Sequence, residues 1–380
     1  MTYRIALATS AAQPDSDDRG QEILAALRAA GHEAEAAVWS DSAVDWEQFD
    51  AVVIAGAWDY AQRYDDFLGW AWRAAAQSLV LNPEPLVRWY ADKRYLRDYE
   101  SEGIPIVPTQ FITVHDATLD HDYLGTDHVV RPSISGGLAQ SFRFGPGDDD
   151  ASRAKLEEIK ASGSSVMVFP YSVEAGGVSL VYIGGEYSHA FGRDLAAEVN
   201  AEPVEGRPVE ALVDAEPTDA ERALADAALK PIDPANPPLY VRVDLVRTPG
   251  GEPVILEVQV VQPDLHLERH REVRRVAHTV AHDRLHRVPL PRRHLDDELV
   301  VDLQQHARAE PVANELVVDV QEAELHDVGR GALDRCVERH PLGHLTSLPV
   351  VARQVGQVAA PPEHRLRPPR GPRVLDDVGQ

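Results

Sequence analysis

The amino-acid sequence predicts an α/β domain at the N-terminus, an α+β region after it and a C-terminal tail of doubtful structure. In residues 1–80, short apolar strand-like runs alternate with helical segments, a pattern typical of a parallel sheet with helices on its faces. From about residue 104, short strands separated by turns replace this alternation. After residue 265 the composition departs from that of globular domains.

The N-terminal α/β domain is predicted to contain three strands and two helices. The strands are expected over residues 4–8, 32–39 and 51–55. A helix over 20–30 places Ile23, Leu24 and Leu27 on one face, and Gly31 follows where a helix C-cap favours glycine. A second helix, over 65–77, carries its own apolar face.

The middle of the chain is predicted to begin with a single helix, from Pro83 through Lys93 to about Glu100, with Gly103 ending it. Strands, turns and two further helices follow. They are a strand over 129–132, a helix over 151–161, a strand over 166–169, a hairpin of 178–183 with 186–191 around Gly184-Gly185, and a helix over 219–229 opened by a capping box of Thr218 and Glu221.

A final hairpin is predicted to pair residues 239–247 with 253–261. If its turn is centred between Pro249 and Gly250, Asp244 lies opposite Ile255 and shares a face with Glu257 and Gln259. Two carboxylates and an amide oxygen suit a hard divalent cation such as Mg²⁺. A solvated acidic strand face is the alternative interpretation of the hairpin taken alone.

Residues upstream of the hairpin supply what a site for a nucleoside triphosphate needs. Lys93 and Arg131 are cations, Arg131 precedes a glycine-containing loop, and the segment 167–171 is an apolar hinge with backbone groups available for hydrogen bonds. The segment 58–60 (Trp-Asp-Tyr) follows a strand end, where α/β domains place ligand loops. A substrate contact is one interpretation of that segment, and a core or interface role is the other.

Charge and composition exclude several classes of protein. The net charge of −25 argues against nucleic-acid binding, because phosphate contacts need a basic face. The N-terminus lacks the basic and long apolar regions of a signal peptide. The sequence also contains no run of 18 apolar residues that would suggest a membrane helix. We therefore expect a cytoplasmic protein. The single cysteine, Cys336, excludes an intramolecular disulfide.

The tail after residue 265 contains no Phe, Tyr, Trp, Ile or Lys, and it holds 11 of the 16 histidines. A folded region of this length normally has several aromatic residues, because they supply much of a core. A frameshifted or otherwise aberrant C-terminus is our preferred interpretation, and a genuine low-complexity appendage is the alternative. His278, His282 and His286 repeat at four-residue spacing and could bind zinc, but the composition alone also explains them.

Six short motifs follow one another in a fixed order along the chain. They are Asp92-Lys93, Gly103-Ile104-Pro105, Val129-Val130-Arg131-Pro132, Val168-Phe169-Pro170-Tyr171, Arg242-Val243-Asp244 and Leu256-Glu257-Val258-Gln259. Their order resembles the ATP-grasp superfamily, and more narrowly its RimK-like and glutathione-synthetase-like ligases, the group that includes the D-cycloserine-forming cyclo-ligase. The resemblance covers roughly residues 3–267.

The resemblance implies an ATP-grasp fold with three regions. These are a parallel-sheet pre-ATP-grasp domain (1–82), a small ATP-grasp subdomain with a linker helix (83–165) and a C-terminal ATP-grasp subdomain with the metal hairpin (166–265). The tail (266–380) is expected from its composition to be disordered. The resemblance also implies an ATP-dependent ligase that activates a small, amino-acid-like carboxylate substrate as an acyl phosphate, which an amine or similar nitrogen nucleophile attacks.

The resemblance assigns site residues to ATP and Mg²⁺. Residues expected to bind ATP are Lys93, Arg131, Val168, Phe169, Pro170, Tyr171 and Glu174, the last as a ribose contact. Those expected to bind Mg²⁺ are Asp244, Glu257 and Gln259. Arg131 and Arg193 are expected to act in catalysis, Arg193 by meeting the acyl phosphate, and the loop 133–140 is expected to close over the phosphates.

Several residues depart from the family's pattern. Arg131 replaces a lysine, Gln259 stands where Asn or Glu is usual, and Gln262 stands where this group tends to have Glu. Amides in place of carboxylates lower the negative charge around a metal. A degenerate ATP-grasp protein that binds nucleotide or a partner without ligase activity is therefore the alternative hypothesis.

Overall fold

The computed structural model describes residues 2–136, 140–171, 176–199, 210–233 and 237–267, together with Val276 and Thr279. All of them belong to one compact unit, Met1–Gly343. Glu174, the zinc candidates His278, His282 and His286, and nearly all of the tail lie outside the described residues. Every helix in the described ranges is too short or too polar to span a bilayer.

The first sheet is parallel, with strand order β2-β1-β3-β4, as the alternation of strands and helices predicts. Its elements are β1 (Arg4–Thr9), α1 (Asp18–Ala29), β2 (Glu33–Val38), a 3-10 turn (Trp46–Gln48), β3 (Ala51–Gly56), α2 (Tyr64–Gln77) and β4 (Leu79–Leu81). The Asp17 side chain caps α1 by accepting from the Gly20 N–H. Gly31 has a φ of 92°, so the chain turns out of α1 where only glycine is unstrained.

The helix predicted over residues 83–100 is broken in two. The structure has α3 (Glu84–Tyr90), a 3-10 turn (Lys93–Tyr95) and α4 (Leu96–Ser101). Asp92 interrupts the helix because its backbone is extended and its side chain accepts from the Arg94 N–H, which is N-cap behaviour. The break places Lys93 on a tight turn. The Lys93 N–H donates to the Ser133 carbonyl at 2.9 Å.

A second, antiparallel sheet has strand order β5-β8-β6-β7. Its elements are β5 (Gln110–Ile112), β6 (His128–Pro132), β7 (Phe142–Phe144), α5 (Asp149–Ala161) and β8 (Val166–Pro170). Leu156 and Ile159 of α5 pack on Val130 and Val168, which holds the helix against the sheet.

The third sheet is also antiparallel, with strand order β11-β10-β9-β12-β13. Its elements are β9 (Gly177–Ile183), β10 (Glu186–Arg193), α6 (Leu195–Glu198), β11 (Leu212–Val213), α7 (Asp219–Leu229), β12 (Tyr240–Arg247) and β13 (Pro253–Gln259). The two-glycine hairpin is confirmed, since Ile183 pairs with Glu186. The capping box of Thr218 and Glu221 is confirmed as well.

The register predicted for the final hairpin is wrong by two residues. Arg247 pairs with Pro253, which leaves a five-residue loop, and a β-bulge then separates the pairs Leu245–Ile255 and Asp244–Glu257. The longer loop and the bulge each shift the register by one residue. Asp244 therefore lies opposite Glu257, and the two carboxylates are closer than the predicted pairing would place them.

Packing continues a short way past the composition change at residue 265. Leu267 and Val276 are buried, and they belong to the same apolar cluster as Ile5 and Leu27 of the first sheet and its helix. His266 is also buried, with its Nε2 at 2.7 Å from the Glu210 carboxylate. The first residues after the compositional boundary therefore contribute to the core.

Candidate active site

The first part of the site is a buried cluster of two cations and one carboxylate. The Lys93 Nζ lies 3.7 Å from Glu257 Oε2, and an Arg131 Nη lies 3.4 Å from the same oxygen. Ser135 ties the two cations together, because its hydroxyl accepts from Arg131 at 2.8 Å and from Lys93 at 3.3 Å. The structure thus brings together three predicted residues from the 3-10 turn, β6 and β13.

This cluster carries an excess of positive charge that the fold keeps from water. Lys93 is 4% exposed, and both Arg131 and Glu257 are fully buried. Burial lowers the pKa of Lys93 to about 8; Glu257 opposes this fall, and Arg131 adds to it. Two cations against one carboxylate suit an anionic ligand, and phosphate oxygens accept charge-assisted hydrogen bonds from such groups.

Asp244 is held differently, because donors already surround both of its oxygens. One oxygen accepts from Ser179 at 2.7 Å and from Arg242 Nε at 2.8 Å. The other accepts from Arg193 at 2.8 Å, from Arg242 at 2.9 Å and from Gln259 at 2.8 Å. A carboxylate has about four lone-pair sites, so these five donors leave none for a metal in this arrangement.

The two arginines that bind Asp244 are themselves paired with further carboxylates. Arg193 forms a short ion pair with Glu198, and Arg242 lies 2.8 Å from Glu210. Arg193, expected to meet an acyl phosphate, is therefore bound by two carboxylates here. This role stays a prediction and requires Arg193 to leave one of them.

The fit to Mg²⁺ differs among the three predicted ligands. Glu257 fits, since its contacts with Lys93 and Arg131 are long. Among the described residues, its other oxygen accepts one short bond, from Gln259 Nε2 at 2.6 Å. Gln259 directs its NH₂ group at both carboxylates, the orientation that avoids placing an amide oxygen against two negative charges. Asp244 and Gln259 would both have to change partners to bind a metal.

The predicted adenine hinge forms the end of β8. Its strand partner β5 reaches only to Val168, so Phe169 and Pro170 extend beyond it. The N–H of Tyr171 is not available to a ligand, because it donates to the Asp127 carbonyl at 3.0 Å. The Arg143 guanidinium lies over the Tyr171 ring at 3.7 Å from its centroid. Adenine binding at 168–171 stays a prediction.

The sequence did not predict a cavity of about 50 Å³ beside this site. It lies between the start of α1, the end of β3 and the segment that follows β13. Gln262 lines it, and this residue takes no part in the carboxylate cluster; its Oε1 instead accepts a short bond from the Ala57 N–H. The polar residues Gln262 and Asp264, which follow an apolar strand, were the available signal.

This chain is similar to known proteins in both its sequence and its fold. Residues 5–82 match the family model of the N-terminal domain of the D-cycloserine synthetase DcsG. The chain is 32% identical over 281 residues to the cycloserine biosynthesis protein DcsG of Streptomyces lavendulae, a match that covers 69% of this chain and 92% of that protein. The crystal structure of DcsG superposes with a TM-score of 0.65 at 30% identity, covering 74% of this chain and 99% of DcsG.

A D-alanine–D-alanine ligase from Bacillus anthracis has the same fold, with a TM-score of 0.54 at 16% identity over 80% of this chain and all of that ligase. The three sheets thus have the ATP-grasp fold, and the chain is an ATP-grasp ligase. Within this class, the chain belongs to the DcsG family. The sequence match and the structural superposition confirm the resemblance and the fold class predicted from the motifs.

Proposed function

We propose that this ligase activates a small, amino-acid-like carboxylate as an acyl phosphate, which a nitrogen nucleophile then attacks. The observation that carries the proposal is the buried, positively charged cluster of Lys93, Arg131 and Glu257. The names of the relatives support the substrate class, because one serves cycloserine biosynthesis and another joins D-alanine to D-alanine.

The cluster would act mainly by neutralising charge. In the first step, a substrate carboxylate oxygen attacks the γ-phosphorus of ATP and ADP leaves; in the second, nitrogen attacks the acyl carbon and phosphate leaves. Lys93 and Arg131 would stabilise the negative charge of the transferring phosphoryl group, a contribution that is large when donors are fixed and dry. Ser135 fixes both cations before ATP arrives, since it accepts a bond from each.

Glu257 would hold Mg²⁺, and a bound Mg²⁺ would draw charge from the phosphate oxygens. Asp244 and Gln259 remain proposed Mg²⁺ ligands, provided that each exchanges its present hydrogen-bond partners. The regions 1–82, 83–165 and 166–265 remain our proposed domains.

Calorimetric titration with ATP, with and without Mg²⁺, tests the binding half of the proposal. Lys93→Ala and Glu257→Ala should each weaken Mg·ATP binding by at least tenfold, because the first removes a cation that would bind phosphate and the second removes the carboxylate that would hold Mg²⁺. Lys155→Ala is the matched control, since this lysine pairs with Glu158 on the surface of α5. Unchanged affinity in both cluster variants would refute the proposal.

A nucleotide-binding protein without ligase activity is the second candidate function. The saturated oxygens of Asp244 favour it, because a metal ligand that stays bound to two arginines would leave phosphoryl transfer slow. Release of ADP in the presence of a panel of amino acids separates the candidates. Turnover excludes the second, whereas ATP binding with no turnover on any panel member supports it.

A further inference from the structure

Ser135 lies at the centre of the charged cluster, because its hydroxyl and its carbonyl both contact the cations. The hydroxyl accepts from Arg131 at 2.8 Å and from Lys93 at 3.3 Å. The carbonyl oxygen accepts a further, short bond from the Lys93 ammonium. The position of Ser135 therefore determines where both cations point.

A side chain from the region of the first sheet also reaches Ser135. The Tyr60 hydroxyl donates to the same carbonyl oxygen at 3.1 Å, so Lys93 and Tyr60 together occupy the two lone pairs of this oxygen. Tyr60 lies in the turn after β3 and is 75 residues away from Ser135 in the sequence. It adds an uncharged donor to a cluster whose charged members come from the 3-10 turn, β6 and β13.

The Tyr60 side chain is itself held in place by the fold. It is 6% exposed, its ring centroid lies 5.3 Å from that of Phe67, and its N–H donates to the Ala57 carbonyl at 3.0 Å. Burial raises the pKa of the Tyr60 hydroxyl, Glu257 adds to the rise, and Arg131 opposes it. The hydroxyl therefore stays protonated and remains a donor at neutral pH.

The chain around Ser135 explains why such an anchor matters. Gly136 and Gly137 follow it in the sequence, and glycine leaves the backbone more freedom than any other residue. On the other side, the Ser133 carbonyl accepts from the Lys93 N–H at 2.9 Å, and the Ser133 N–H donates to Ser165 at 2.8 Å. Tyr60 thus holds the last residue before the glycines.

We infer that Tyr60 is a positioning residue for phosphate binding, because it holds Ser135 where Lys93 and Arg131 converge on one anion. The region 1–82 then contributes to the nucleotide site through this hydroxyl. The inference rests on the proposed function for the identity of the anion as a phosphate group of ATP. Loss of the hydroxyl lets Ser135 move, so the effect falls on the phosphate groups and not on the adenosine part of the nucleotide.

The ratio of the affinities for ATP and AMP tests this inference without any need for turnover. Calorimetry measures Mg·ATP binding, and saturation-transfer NMR measures the weaker binding of AMP. Tyr60→Phe keeps the ring and removes one hydrogen bond, so ATP binding should weaken about fivefold while AMP binding stays nearly unchanged. Partial unfolding would lower both affinities by the same factor, so the ratio does not respond to stability alone.

Tyr240→Phe is the matched control. Tyr240 is also buried, and its hydroxyl also donates to a carbonyl oxygen in another part of the chain, that of Ile54 on β3. This bond joins β12 to the first sheet and not to Ser135. Tyr240→Phe should therefore leave the ratio of the ATP and AMP affinities unchanged.

A double-mutant cycle determines whether Tyr60 acts through the cluster. Tyr60→Phe should weaken Mg·ATP binding much less in a Lys93→Ala background than in the parent protein, because coupled residues have non-additive effects. Additive effects would overturn the inference, as would an unchanged affinity ratio in Tyr60→Phe or an equal change in Tyr240→Phe.

Lys93→Ala alone separates this inference from the proposed function. Normal Mg·ATP binding by Lys93→Ala would remove the proposed function, because the cluster would then not bind phosphate. Weakened binding by Lys93→Ala together with normal binding by Tyr60→Phe would remove only the positioning role of Tyr60.

Discussion

Two facing carboxylates of the site differ in what surrounds them. Asp244 accepts from two guanidinium groups, a hydroxyl and an amide at distances of 2.7–2.9 Å. Glu257 lies 3.4 Å or more from its two cations. Tight pairing of buried charges contributes to stability mainly because its loss leaves the partner charges uncompensated. Asp244 should therefore matter most for folding, and Glu257 for ligand binding.

Substitutions at the two positions should separate these roles. Asp244→Asn should lower the free energy of unfolding by about 3–5 kcal/mol, since it leaves two buried guanidiniums without their shared anion. Glu257→Gln should change stability much less and weaken Mg·ATP binding at least tenfold. Urea unfolding measures the stability, and calorimetry measures Mg·ATP binding. The surface variant Glu158→Gln is the control and should cost at most about 0.5 kcal/mol. Equal destabilisation by Asp244→Asn and Glu257→Gln would contradict the assignment of Asp244 to folding and Glu257 to ligand binding.

Lys93 should make ATP binding sensitive to alkaline pH. Its pKa is lowered to about 8 by burial in the free protein, and phosphate oxygens favour its charged form. Above pH 8, ATP binding should therefore take up a proton, and the affinity should fall as pH rises. Calorimetry in two buffers of different ionisation enthalpy measures this uptake. Lys93→Arg should abolish it, because a guanidinium stays protonated.

The lowered pKa of Lys93 also determines how its contribution to stability changes with pH. Between pH 8 and the ordinary lysine pKa of 10.5, the unfolded chain binds the proton that the folded chain has lost. The contribution of Lys93 to the free energy of unfolding should therefore rise with pH across this window. A fall of that contribution, measured against Lys93→Met, would show that Lys93 is charged in the free protein.

Among the elements, β6 and α5 are joined by two histidines that share one serine. The Ser152 hydroxyl on α5 lies 2.7 Å from His128 Nε2 and 3.0 Å from His121 Nε2. His128 Nδ1 donates to the Thr126 carbonyl, so its Nε2 must accept from the hydroxyl in the neutral form. His121 Nε2 then donates to the serine oxygen, which fixes the direction of both hydrogen bonds.

The contribution of His121 to stability should fall in mild acid. Burial lowers the pKa of His121 to about 4, and the charges of His128 and Arg153 add to the effect. The unfolded chain takes up a proton near pH 6.5 and the folded chain does not, so the free energy of unfolding should fall as pH drops from about 6.5 to 4. Urea unfolding between pH 7 and 5 measures the slope. His121→Phe should reduce it, and an unchanged slope would exclude His121 as its source.

The sequence predicted which elements form better than where they start or pair. Local signals such as the Gly184-Gly185 turn and the Thr218 capping box specify an element by themselves, and both are present. The break at Asp92 and the bulge at Asp244 depend on competing hydrogen bonds that a pattern of apolar residues does not contain. A shift of two residues preserves the face of a strand, so the site residues were predicted to converge despite the wrong register.

The site itself was predictable only in part. The motifs and the resemblance identified Lys93, Arg131 and Glu257, which lie on separate segments and meet in the structure. The arginine partners of Asp244 were not predicted, because Arg193 is 51 residues away and reaches Asp244 across β9. Likewise, the cavity depends on contacts between segments that are far apart in the sequence, such as the hydrogen bond between Ala57 after β3 and Gln262 after β13.

At the scale of the whole molecule, Asn82 is a joint between the first sheet and the final hairpin. Its backbone is in the left-handed region, with a φ of 64°. Its side-chain amide donates to the carbonyls of Tyr240 at 3.0 Å and Val260 at 2.7 Å, and it is 1% exposed. Few residues combine a tolerance for this backbone conformation with a hydrogen-bonding side chain, and asparagine is one of them.

Two substitutions at Asn82 should separate these contributions. Asn82→Gly keeps the backbone unstrained and leaves two buried carbonyls without a donor, at a cost of about 1–3 kcal/mol for each group. Asn82→Ala should cost about 1–2 kcal/mol more than Asn82→Gly, because alanine adopts a left-handed backbone with strain. Urea unfolding measures both, with Glu100→Ala on the exposed side of α4 as a control. If Asn82 fastens the first sheet to the hairpin, the variants should also unfold in two transitions where the parent protein unfolds in one. Equal stability of Asn82→Ala, Asn82→Gly and the parent would refute this role.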